Sequence, residues 1–206
     1  MVFEDFKKGM GIVLHPNSEA HAHMGLKDAV LMYYRFAVVP IMLTLASAEI
    51  VVFSLPGLLA SVPAAQLVGG SVALTIAAYK QFLFSLIVAP LFVPVALFVV
   101  AGILHIVGKV LRMFEGDFAR TFTAVVYAEF SSILFWFAVA FGALGSLVYL
   151  LGIIYGIYVL VVGLSRQHKT SLTNAFVVGL ITFVFLVVVA SAVVGSYATA
   201  LTASGG

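Results

Sequence analysis

From Tyr33 to Tyr197 the chain is a series of long apolar runs, and nearly every charge is confined to the short segments between them. No other feature constrains the fold as much. Hydrophobic residues make up 64% of the 206 and charged residues 9%, where a soluble domain has roughly 45–50% and about 25%. One aqueous core of this size cannot hide that much apolar surface. Lipid must be the solvent for much of it, and the chain reads as an integral, all-α membrane protein.

A bilayer core is crossed by roughly 20 helical residues. Runs of suitable length fall at 33–53, 82–107, 121–141, 144–164 and 172–197. They form a single transmembrane helical domain over 33–206, a bundle of five helices. Residues 58–79 are apolar but interrupted by Pro63, Gln66, Gly69 and Gly70, which reads as an outer-surface or partly re-entrant segment, with a sixth span as the rival. Charge placement favours five. With a cytoplasmic N-terminus, nine of the ten Lys and Arg residues then lie inside and only Lys80 outside, as the positive-inside rule requires. The C-terminus is then outside, in a multi-pass protein of the cell membrane. Residues 1–32 form a cytoplasmic, partly amphipathic segment. Val2–Leu14 suits a short helix at the bilayer surface, with a frayed tail as the alternative, and Pro16 ends it.

Several classes of function are excluded by what the chain lacks. It has no cysteine, hence no disulfide, thiolate metal site or cysteine nucleophile. A net charge of +2 gives no nucleic-acid footprint. His15, Glu19, His21 and His23 cluster near the N-terminus, but their spacing matches no metal signature and reads as a solvated linker. There is no P-loop, nucleophile elbow or H-E-x-x-H, and the loops are short. The expectation is a protein that is not an enzyme and uses no cofactor or metal.

Two stretches carry a family resemblance. Leu104-His-Ile-Val-Gly-Lys-Val-Leu-Arg-Met-Phe-Glu-Gly-Asp-Phe-Ala-Arg-Thr-Phe-Thr-Ala-Val-Val-Tyr-Ala resembles the basic helix end, Gly-containing loop and Ala-Tyr third-span opening of the Yip (Ypt-interacting protein) family. Tyr158-Val-Leu-Val-Val-Gly-Leu-Ser-Arg-Gln-His-Lys-Thr-Ser-Leu-Thr-Asn-Ala is similar to its Gly-Leu exit from the fourth span and Ser-x-x-x-Ala entry to the fifth. The resemblance implies five spans and a cytoplasmic N-terminus, and in eukaryotic members a tie to vesicle trafficking and Rab-type GTPases. The valine-rich, cysteine-free composition points to a prokaryotic-type member.

Ionisable groups inside spans are costly and mark candidate sites. Glu129 lies roughly 12 Å into the third span, near the midplane of a core about 30 Å thick. It reads either as a protonated acid hydrogen-bonded to a neighbouring helix or as a proton- or ion-coupling group of a small transporter or channel. Tyr127 belongs with it. Tyr155 and Tyr158 on span four lie at matching depth as candidate donors. Gly145, Gly152, Gly156 and Gly163 form one stripe on span four, with Gly152-Ile-Ile-Tyr-Gly156 a GxxxG pair suited to close helix packing. Glu49 and Lys80 suit an outer ion pair or a solvated rim. His105, Lys109 and Arg112 share a face where span two leaves the membrane, suited to anionic lipid headgroups. Asp117 is placed to cap span three. The leading functional expectation is a scaffold or adaptor contacting the lipid bilayer, other membrane proteins or a second copy of itself as a homo-oligomer.

Overall fold

The computed structural model describes residues 2–17, 24–39, 41–42, 92–135 and 142–204. Among them are six helices and no strand: α1 (Val2–Leu14), α2 (26–39), α3 (Phe92–Val110), α4 (Phe118–Leu134), α5 (Gly142–Gln167) and α6 (Leu172–Ser204). Three segments, Phe92–Val110, Leu147–Gln167 and Leu172–Ala192, are long and apolar enough to cross a membrane. They overlap the expected second, fourth and fifth spans, with 82–91 of the second outside the described residues. The first and third expected spans run on into residues outside the described set, and 58–79 lies wholly outside it.

Polar chemistry sets the helix ends. Asp117 caps α4 from extended backbone (φ −96°, ψ 172°), its carboxylate accepting from the Arg120 N–H at 3.3 Å. That satisfies one of the orphan donors of the first turn. α3 and α5 end alike. Beyond α3, Arg112 N–H donates to the Lys109 carbonyl (3.0 Å) and Met113 N–H to that of Gly108 (2.9 Å). Beyond α5, Lys169 N–H donates to Arg166 (3.4 Å) and Thr170 N–H to Ser165 (3.0 Å). These are the paired bonds of a Schellman motif, which holds one residue in the left-handed region. Glycine usually takes that place; here Arg112 (φ 55°) and Lys169 (φ 51°) do. A cation beside the last carbonyls offsets part of the strain.

Small residues bring α4 and α5 together as an antiparallel pair. A Cβ on Gly163 would lie 3.2 Å from Ala124 Cβ, one on Gly156 3.1 Å from the Ala128 carbonyl oxygen, and one on Gly152 2.6 Å from the Phe135 ring. The contacts advance eleven residues along each helix in opposite directions, the register of two backbones in close approach. Gly145 is also buried.

The N-terminal helix does form, but it does not lie free on a surface. Ile12 is fully buried and Val13 nearly so. Phe6 stacks on Phe36 of α2 (5.2 Å), which stacks on Phe130 of α4 (4.0 Å). Gly9 leaves room for the Phe36 and Phe130 rings, which a Cβ would strike. Asp5 pairs with Arg35 at 3.0 Å. The apolar face expected to meet the bilayer is therefore covered largely by α2 and α4, because aromatic rings on both helices present a complementary face.

Candidate functional site

The most connected polar group in the described residues sits where the loop after α3 meets the end of α5. His105 on α3 and His168 after α5 share one hydroxyl: Thr121 Oγ1 lies 2.8 Å from His105 Nδ1 and 2.9 Å from His168 Nε2. On its other side His168 Nδ1 bonds the Glu115 carbonyl oxygen. That oxygen has no proton to give, so His168 Nδ1 carries the hydrogen and, in the neutral ring, Nε2 accepts. Thr121 then donates to His168, and His105 Nδ1–H donates to Thr121. The chain of donors runs one way, from His105 to Glu115.

Packing holds this network. Thr121 and His168 are fully buried, and Phe114 stacks face to face on His168 at 4.2 Å. Gly108 has no side chain where the Phe114 ring rests. Arg120 adds a second clip, donating from a terminal guanidinium nitrogen to the Gln167 carbonyl at 3.2 Å. Burial holds His168 below the ordinary histidine value of 6.5; the Glu115 bond opposes this, and the nearby His105, Arg120 and Lys109 reinforce it. Around the clip, Lys109, Arg112, Arg166 and Lys169 are exposed. The arrangement is a cross-linked joint with four exposed cations and two exposed acids, Glu115 and Asp117, around it.

The candidate residues fall into separate places. Of His105, Lys109 and Arg112, only the last two face outward; His105 turns in toward Thr121. Tyr155 and Tyr158, expected to reach Glu129, are engaged by the N-terminal segment instead. Tyr155 donates to the Val13 carbonyl at 2.6 Å, and Tyr158 accepts from the Asn17 side chain at 3.2 Å. Arg166 also donates to the Asn17 carbonyl, at 3.1 Å. Glu129 is half-buried, lies within electrostatic reach of Tyr33 on α2, and is one residue around the helix from the α5-facing Ala128. Matched depth leaves azimuth open, and one residue turns a helix by about 100°. Ser132, one turn further along α4, lies beside Gly156 of α5. Tyr127 is fully buried in α4. Glu49 and Lys80 lie outside the described residues.

A family model for the Yip1 domain matches residues 10–194. The chain belongs to the Yip1-domain family. Among characterised proteins and among solved structures, none matches it. The Yip1 domain takes in α2 to α5 whole, together with the end of α1 and most of α6, so the Thr121–His168 clip is part of it. Sequence reasoning passed over both of those residues. Each stands inside a stretch that carries the family resemblance, yet a lone loop histidine reads as solvated. The available signal was the pairing of two polar helix ends, Leu104–Ala128 and Tyr158–Ala175, flanking spans that must meet.

Proposed function

We propose that this Yip1-domain protein is a non-enzymatic membrane scaffold whose basic end binds anionic lipid headgroups and adaptor partners. The observation that carries the reading is the clipped joint itself. Two inter-helix segments are locked through His105, Thr121, His168, Glu115 and Arg120, with Lys109, Arg112, Arg166 and Lys169 displayed around them. α1 is fastened to the same bundle by Asp5, Val13 and Asn17. A surface fixed in this manner suits docking, because little conformational entropy is lost when a partner binds. Cationic side chains at a membrane boundary attract anionic lipid at about 1 kcal/mol each.

In this reading the bundle has five spans, the N-terminus and the basic end face the cytoplasm, and the C-terminus is outside. The test has two arms. Purified protein in nanodiscs of mixed neutral and anionic lipid should retain more anionic lipid than a variant with Lys109→Ala, Arg112→Ala, Arg166→Ala and Lys169→Ala. In proteoliposomes under a proton or sodium gradient it should move no ions. Flux that is abolished by Glu129→Gln would replace the scaffold with a transporter, and equal lipid retention in both proteins would remove the headgroup role.

A further inference from the structure

α3, α5 and α6 contain the three segments long enough to cross a membrane, and they enclose an apolar cavity of about 330 Å³. That is at the lower end of small-molecule sites. Leu104 and Leu160 form its back, while Phe176, Gly179, Thr182 and Phe183 form its α6 wall. Phe176 and Phe183 are each more than half exposed, so the cavity opens sideways toward lipid.

One atom in it is out of place. Thr182 is 2% exposed, and its hydroxyl has no hydrogen-bond partner among the described residues. A threonine within a helix commonly bonds back to the carbonyl three or four residues earlier. This one does not. A buried hydroxyl left unpaired carries the full penalty of its desolvation, which an occupant with an acceptor oxygen would remove.

Depth and shape narrow the occupant. Thr182 comes ten residues after Leu172, roughly 15 Å along the helix at 1.5 Å per residue. Half of a core about 30 Å thick is the same distance. Phospholipid headgroups stay at the interface, well short of it. No lining residue is charged, so a charged ligand would have nothing to offset its transfer into the bilayer. Gly179 has nothing within 4 Å of where a Cβ would stand, leaving a flat floor. Phe176, Gly179 and Phe183 follow one another at i, i+3 and i+7 on a single helix face. A planar ring fits above the glycine with an aromatic residue on each side.

We propose that this cavity binds an uncharged, quinone-type lipid. Its ring lies over Gly179 between Phe176 and Phe183, and one carbonyl oxygen accepts a hydrogen bond from Thr182, whose buried hydroxyl turns about χ1 to meet it. The apolar tail leaves between the exposed rings into the bilayer. This site is separate from the basic end, and the proposal does not depend on the scaffold role.

The experiment uses the full chain in nanodiscs and tritiated decylubiquinone as probe, with decylbenzene as a competitor of similar shape lacking a carbonyl. Wild type should bind the quinone saturably, and decylbenzene should compete about tenfold more weakly, the worth of one net hydrogen bond. Thr182→Val keeps the shape and removes the donor; it should weaken quinone binding about tenfold and leave decylbenzene unaffected. Gly179→Leu fills open space and should abolish saturable binding, with thermal stability confirming that the protein is folded. Leu160→Trp fills the cavity from α5 and should do the same, which guards against failure of one variant to fold. The proposal is overturned if wild type shows no saturable quinone binding, if folded cavity-filling variants bind normally, or if Thr182→Val leaves quinone affinity unchanged.

Discussion

Thr121→Val tests the clip at its centre. Valine keeps the branched shape and the helix preference of threonine but removes the hydroxyl that stands 2.8 Å from His105 and 2.9 Å from His168. The two histidines respond unequally. His105 is half-buried and can turn its nitrogen to water at little cost. His168 is fully buried, so its Nε2 is left without a partner, a loss of about 1–3 kcal/mol. The net expectation is a destabilisation of about 2 kcal/mol, most of it from His168. In a chain of this length 1 kcal/mol moves the melting temperature by about 2–4 °C, so a drop of about 4–8 °C should appear in detergent. Thr121→Ser keeps the hydroxyl and should recover at least half of it. A double-mutant cycle with His168→Phe isolates the pair: the second substitution should cost less in the Thr121→Val background than in wild type. A drop under about 1 °C, or strictly additive costs, would refute the assignment of Thr121 as the bridge.

Three further outcomes follow from the same geometry. Because burial lowers the His168 pKa below its unfolded value near 6.5, the unfolded chain binds more protons in the window below 6.5. Stability should therefore rise with pH through that window and fall on acidification, by at most about 1.4 kcal/mol per pH unit. Melting curves at pH 7.5 and 5.5 should differ more for wild type than for His168→Phe, and equal differences would show that His168 is not the sensor. Gly156→Leu drives a side chain toward the Ala128 carbonyl oxygen, 3.1 Å from the Cβ position; backbone cannot swing aside, and overpacking of about 1–3 kcal/mol should lower the melting temperature. Gly102→Leu, with nothing within 4 Å, should leave it nearly unchanged and serves as control. For the proposed orientation, the cysteine-free chain allows Phe118→Cys and Ala143→Cys to be labelled in sealed vesicles; the first should react only from the cytoplasmic side and the second only from outside.

The parts of the fold that depend on periodic hydrophobicity were legible in the sequence. The membrane class, the helical segments at α3, α5 and α6 and the Asp117 cap all follow from local composition, and the structure shows them. What escaped was azimuth. Glu129 and Tyr155 match in depth, but nothing in the sequence says which way around α4 the carboxyl points; Glu129 is within electrostatic reach of Tyr33, and Tyr155 donates to Val13. The docking of α1 was hidden for a related reason. An amphipathic helix carries one apolar face whether that face meets lipid or protein, and only the Phe6, Phe36 and Phe130 stack decides between them. The histidine clip escaped because Thr121 and His168 are 47 residues apart, and each is unremarkable alone. Likewise neither helix stop has a glycine in the left-handed position; Arg112 and Lys169 occupy it.

The fastening of α1 also dictates an order of assembly. Val13 bonds a tyrosine 142 residues later, and Asn17 bonds residues 141 and 149 positions further on. During synthesis at about 5–20 residues per second, those partners emerge roughly 7–30 s after the helix that needs them. Through that interval the aromatic face of α1 meets Phe36 of α2 and then Phe130 of α4, while Val13 and Asn17 still lack their partners on α5. The last fastening of α1, through Val13 and Asn17, therefore waits for α5. The N-terminal helix is thus packed along its length by earlier helices and pinned at its C-terminal end last.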